Sequence, residues 1–305
     1  MRTIKISALL AGTFLAAASL MSGTDARSDT TYVGGGTAAV YGNLPPDQVE
    51  FLSPPDRIKA VANSGSPSLI WETLEHGEAV ECLDCIPAVG NLLYSTDPQT
   101  REIAAWWLRR RIFGVFGPGQ VYEQTVNTLK GDPSPDRREA AAYALGEFLT
   151  LAGVPPLASA IQSDSSPAVR AAAASALGRI NDKGGTALST AMKDADPSVR
   201  LAAIKSAGRI NDFTDEATPA SLLGDNDAVV RRRAVELLED LHAKDTVTSV
   251  MTLAKTDADE RVRIAACHAL GTFGDVSAQT TLQGIATSDA STLVRDAATI
   301  ALRRL

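Results

Sequence analysis

The stretch Asp196–Ile210, D-P-S-V-R-L-A-A-I-K-S-A-G-R-I, returns in recognisable form about every 31 residues until the 305-residue chain ends. Aligned on their arginines, the copies give Arg101, Arg138, Arg170, Arg200, Arg231, Arg263 and Arg295, the last six being 32, 30, 31, 32 and 32 residues apart. Four residues before each arginine stands Asp97, Ser134, Ser166, Asp196, Asp227, Asp259 or Ser291. Each of these short side chains carries an oxygen that accepts from a free backbone N–H at a helix start, so the column predicts N-caps. Pro98, Pro135, Pro167 and Pro197 follow in four copies, at the first helical position, where a missing N–H is no loss.

Inside the predicted helix the third residue after the arginine is always alanine: Ala104, Ala141, Ala173, Ala203, Ala234, Ala266 and Ala298. Leucine fills the seventh position in every copy but one, where it is Ala207, and valine precedes the arginine in the last five. With an apolar residue at the tenth position, such as Phe148 or Ile210, these form one helical stripe. The invariant alanine predicts close approach of another helix. Gly146, Gly178, Gly208 and Gly271 are read as helix ends or tight turns. A second, shorter apolar segment follows in each copy, for example Gly184–Met192 or Thr246–Ala254.

One helix pair of this kind cannot bury its stripe alone, so stacked neighbours must share a core. D-P-S-V-R-L-A-A-I-K-S-A-G-R-I and S-P-A-V-R-A-A-A-A-S-A-L-G-R-I resemble the HEAT-like repeat of the phycobilisome-lyase type, over residues 97–305. The resemblance implies an all-α fold, a right-handed α-α superhelix of about seven to eight two-helix repeats. It implies a binding scaffold, with a chromophore-lyase-type or chaperone-like protein as the alternative, since members of the class serve as binding scaffolds and a minority attach bilin chromophores. In such solenoids the second helices line the inner curve, and here they carry Ser189, Thr190, Ser221, Thr248, Ser249, Thr252, Thr280, Thr281 and Gln283, polar and nearly uncharged. That surface suits a peptide or protein strand better than phosphate or a metal.

Composition agrees with an acidic helical protein: 45% hydrophobic residues, 5% aromatic and a net charge of −7. Phosphate binding needs a concentrated surplus of Lys and Arg, so nucleic acid is not expected as partner. Residues 1–26 read as a signal peptide, with Arg2 and Lys5 before the uncharged run Ile6–Met21 and small residues, Thr24 and Ala26, suited to a cut before Arg27. Secretion or a periplasmic location follows, with no stable membrane span once the signal is removed. Residues 27–52, rich in Gly, Thr and Pro, read as a flexible linker. Residues 53–96 read as a divergent N-terminal capping repeat. There Ser53, Pro54, Arg57 and Ala60 take the cap, first-turn, arginine and alanine slots, Asn63–Pro67 interrupts, and Ile86–Leu93 supplies the second helix. Phe113–Gly119 reads as a loop inserted into the next unit.

The sequence offers no positive evidence for catalysis or a cofactor: three histidines without partners at catalytic spacing, no Gly-rich phosphate loop and no H-E-x-x-H. The one local cluster with chemical potential is His76, Cys82 and Cys85. In an exported chain Cys82 and Cys85 are expected to form a structural disulfide. The alternatives are a redox-active pair, disfavoured by Glu78, Glu81 and Asp84 around the thiols, and a zinc site with Glu78 or Glu81 as fourth ligand. Cys267 reads as a small core residue. The arginine column reads as architecture, a ladder of guanidinium bonds along the stack. Binding is sought where the repeat breaks. All three tryptophans, Trp71, Trp106 and Trp107, fall there with Arg109 and Arg110 beside them. Adjacent tryptophans point to different helix faces, so the set is a candidate protein-binding hot spot, with packing against the divergent cap as the competing reading.

Overall fold

The computed structural model describes residues 52–111, 119–211 and 213–305. The leader (residues 1–26), all of the linker (residues 27–52) but Leu52, and all but Gly119 of the inserted loop lie outside the described residues. The described chain is helical throughout. Its helices are α1 (Pro55–Ser64), α2 (Pro67–His76), α3 (Ile86–Leu92), α4 (Pro98–Arg110), α5 (Gln120–Gly131), α6 (Pro135–Glu147), α7 (Val154–Ser163) and α8 (Pro167–Ile180). They continue as α9 (Gly185–Ala191), α10 (Pro197–Ala207), α11 (Ala217–Ser221), α12 (Ala228–Asp240), α13 (Val247–Thr256), α14 (Glu260–Phe273), α15 (Gln279–Ser288) and α16 (Thr292–Leu302).

Even-numbered helices stack side by side in one layer, each packing on the next from α2 to α16. Odd-numbered helices form the second layer. The result is an all-α right-handed superhelix with one continuous core. The alanine column is its axis: Ala104, Ala141, Ala173, Ala203, Ala234, Ala266 and Ala298 are all completely buried. Every predicted cap residue, from Asp97 to Ser291, sits at a helix N-cap. In all but Ser166 the side chain accepts from a first-turn N–H.

Two expectations are corrected. Gly146, Gly178 and Gly271 do not cap their helices; they lie within the last turn of α6, α8 and α14. A Cβ on them would stand 2.8–2.9 Å from the Cα of Ala176, Ser206 or Ala301 in the next helix of the layer, so these glycines set how closely first helices approach. Gly208 alone occupies a C-cap, and it faces the larger Leu237 at 3.9 Å. The capping repeat also begins later than expected. Its first-layer helix is α2, which packs on α4, with Ser66 as N-cap and Pro67 at the first position. The 31-residue spacing from Arg101 falls on Ile70. With the arginine gone from that slot the column was lost to view, and α1, around Arg57, belongs to the second layer, where it packs on α3.

Candidate interaction surface

The arginine ladder is real, and its partners are residues that sequence reasoning missed. In five repeats the Nε/Nη2 edge of the arginine holds an aspartate bidentately: Arg138–Asp164, Arg170–Asp194, Arg200–Asp225, Arg231–Asp257 and Arg263–Asp289, all at 2.6–3.0 Å. Each of these aspartates follows the second helix, directly or after a short turn, and accepts from the backbone N–H two residues on, at the next cap. Its own carbonyl accepts from Nη1 of the following arginine. Side chain and carbonyl of one residue thus join consecutive repeats. Partial burial is the largest single influence on Asp164, Asp225 and Asp257 and would raise their carboxyls, but the guanidinium bond, the backbone N–H at the cap and the two nearby arginine charges together outweigh it and hold them below the ordinary value. In Asp194 and Asp289 the guanidinium is the largest influence, in the same direction. The missed signal was an aspartate recurring six residues before the next arginine, two before the cap that drew attention instead.

At the N-terminal break the structure separates the expected site residues. Trp107 is completely buried, its Nε1 donating to the Gly77 carbonyl at 2.9 Å. It is therefore removed from the hot spot: a ring with no exposed surface cannot meet a partner. Arg111, not singled out by sequence, lies stacked on that ring with its Cζ 3.4 Å from the centroid. Its guanidinium donates to the carbonyls of Trp107, Gly77, Glu78 and Val80 at 2.6–3.0 Å, so a buried cation pins the turn after α2. Arg110 is exposed and pairs with Glu78 at 2.8 Å and Glu81 at 3.4 Å. Trp71, Trp106 and Arg109 are half-buried, both rings packing against the core. Cys82 and Cys85 are bonded to each other and buried, with Cα atoms 5.3 Å apart. Among the described residues no group of three or more His, Cys, Asp or Glu could hold a metal ion, which leaves the zinc alternative without a ligand set. Cys267 is fully buried as a core residue, and burial pushes its thiol up to about 12.

The exposed face of the odd-numbered layer is a third surface. One exposed residue per repeat forms a row, Ser159, Thr190, Ser221, Thr252 and Gln283. Three of its hydroxyls turn back on their own helices: Thr190 donates to the Thr186 carbonyl, Ser221 to that of Thr218 and Thr252 to that of Thr248. Thr256 and Thr287 one turn further do the same. The proton of each is used internally, so oxygen lone pairs point outward. Grooves of about 550 Å³ run beside this layer, one bounded by Tyr122, Val126, Pro155 and Ser159 with Glu123 and Lys130 at its margin, and another by Thr280, Thr281 and Ile285 with Lys255 and the Arg263–Asp289 pair.

Stacked helix pairs with a shared core and an edge seam of ion pairs define an α-solenoid. Within that class the sequence profile of the HEAT repeats matches residues 122–188, 154–222 and 219–303. That is more than half of the chain, which belongs to this family. No curated protein sequence matches it. Among solved structures it is similar to YibA of Escherichia coli, at 17% identity over 89% of this chain and 98% of that one, with a TM-score of 0.54. It is similar to yeast importin-β (Kap95p) at 14% identity and a TM-score of 0.56, covering 81% of this chain and 39% of that one. The CpcE–CpcF phycocyanin lyase of Nostoc matches at 18% identity over 72% and 94%, with a TM-score of 0.39. At these identities the first two show the fold alone. No helix among the described residues is long and apolar enough to cross a membrane.

Proposed function

We propose that this HEAT-repeat chain is a non-enzymatic scaffold that is exported to the cell envelope and there binds a protein or peptide partner along its odd-helix face. The observation that carries the reading is the uncharged row from Ser159 to Gln283. Its outward lone pairs accept from the N–H groups of an extended chain, while a phosphate would find no cationic cluster there. The ladder supports the same role by fixing the spacing of these rows. The leader at residues 1–26 supports export. The burial of Cys82 and Cys85 speaks against thiol exchange as the activity.

Photo-crosslinking tests the face. A crosslinker at Thr190 or Thr252 should capture the partner in the producing cell, whereas one at Lys205 or His268, exposed on the even-numbered layer, should not. Equal yields from both layers would refute the assignment. N-terminal sequencing of the mature protein tests export, the expected first residue being Arg27.

A further inference from the structure

Of the seven ladder arginines five hold an aspartate; Arg295, in the last helix, turns its Nη2 to Thr292 Oγ1 at 3.0 Å, and Arg101 is the other without one. Arg101 keeps half of the usual anchoring, its Nη1 donating to Ser95 O at 2.8 Å and Thr96 O at 3.3 Å. Arg200 is held in the same manner by Asp194 O and Ala195 O. The other half is missing. Asp132, the aspartate of this repeat, accepts from Ser134 N–H as its counterparts do, but its second oxygen is taken by Nε of Arg137 at 2.8 Å. Arg101 forms no ion pair with any described carboxylate.

The cause is one residue. The position before the ladder arginine holds Val169, Val199, Val230, Val262 and Val294, all buried. In the Arg138 copy it holds Arg137. A guanidinium left in that apolar slot would be unpaired. It turns outward instead, its side chain 49% exposed, stacks on Tyr94 with Cζ 4.2 Å from the ring centroid and captures Asp132. Arg101 is left with a two-donor edge, oriented by two backbone carbonyls, beside the Tyr143 ring at 6.0 Å.

We propose that the Nε/Nη2 edge of Arg101 is a docking point for a carboxylate of the bound polypeptide, from an acidic side chain or a chain end. The same edge of the same residue type, anchored in the same way, binds a carboxylate five times elsewhere in this chain. The planar fork matches two carboxylate oxygens, and its orientation is fixed before binding, so less freedom is lost on contact. This deepens the scaffold reading by naming the chemistry of one contact.

The test uses the whole chain and small probes, N-acetylaspartate amide for a side chain and N-acetylglycine for a chain end, with the arginine Nε–Hε resonances followed by NMR. Arg101→Lys assigns the Arg101 signal by its loss. Arg101 should respond to at least one probe at concentrations about tenfold lower than the exposed Arg209, Arg261, Arg303 and Arg304, equivalent to about 1.4 kcal/mol. Arg200 and Arg231, already paired, should not respond. The probe that saturates first names the source. Arg137→Val refills the buried slot and frees Asp132 for Arg101, so the response should vanish while the melting temperature holds or rises. An Arg101 response no stronger than that of the exposed arginines, or one that persists in folded Arg137→Val, overturns the proposal; the wild-type titration decides if that variant does not fold. Failure to capture a partner would leave a positive titration standing, and a flat titration would leave the scaffold reading standing.

Discussion

A rung such as Arg200–Asp225 is almost out of water, its side chains 13% and 6% exposed. Asp225→Ala would strand the guanidinium on its carbonyl contacts and should cost about 3 kcal/mol by chemical denaturation. Replacing both partners, with Arg200→Met and Asp225→Leu, should cost clearly less than the sum of the single changes, because no charge is then left buried. Leu149 is a different case. It sits in the left-handed region at φ 51° with its side chain exposed, directly after the end of α6. Leu149→Gly should raise stability by about 0.5–1 kcal/mol, since the strain is relieved and little packing is lost. At this scale legibility followed repetition. The caps were readable because a hydroxyl or carboxylate at a helix start has one obvious use. Arg111 was not, because in the run Arg109–Arg111 nothing distinguishes the cation that folds inward, and its acceptors are backbone carbonyls that carry no sequence signal.

The glycine of a first helix faces the next helix, and the sequence alone does not say so. Gly178→Ala would drive a methyl into the backbone of Ser206 and should destabilise by about 1–2 kcal/mol despite the better helix propensity of alanine. Gly284→Ala is the control: that glycine lies within α15 with open space around its Cβ position, and the change should stabilise by about 1 kcal/mol. Helix existence and caps were legible from Asp97 onward, since seven copies average out local noise. The N-terminal break was read in the wrong register because Ile70 replaces the arginine on which the copies were aligned. The candidate hot spot was misread in part because adjacency on a helix fixes only relative direction. It showed that Trp106 and Trp107 diverge, not which of them turns inward to Gly77.

Across the whole molecule five depressed carboxyls act in the same direction. In the folded chain Asp164, Asp194, Asp225, Asp257 and Asp289 lie below their ordinary 3.8, so the unfolded chain binds more protons as pH falls toward that value. Their contribution is fully present above the unfolded value and is lost as pH drops through the folded ones. Calorimetry should find that this contribution leaves the melting temperature flat above about pH 5 and lowers it progressively below about pH 4. In a nearest-neighbour array the loss is shared by every interface between Asp164 and Asp289 at once. The seam has a mechanical consequence too. It runs along one edge, where each aspartate links two helix pairs through short bonds, while elsewhere the repeats meet through apolar packing and scattered polar contacts such as Arg179–Glu147 and Thr272–Glu239. Under tension the molecule should behave as a ribbon with one inextensible margin, curling about that margin rather than stretching along it. Its compliant joint should lie at Arg101 and Asp132, where the margin is cut, and force applied to the chain ends should open the array there first.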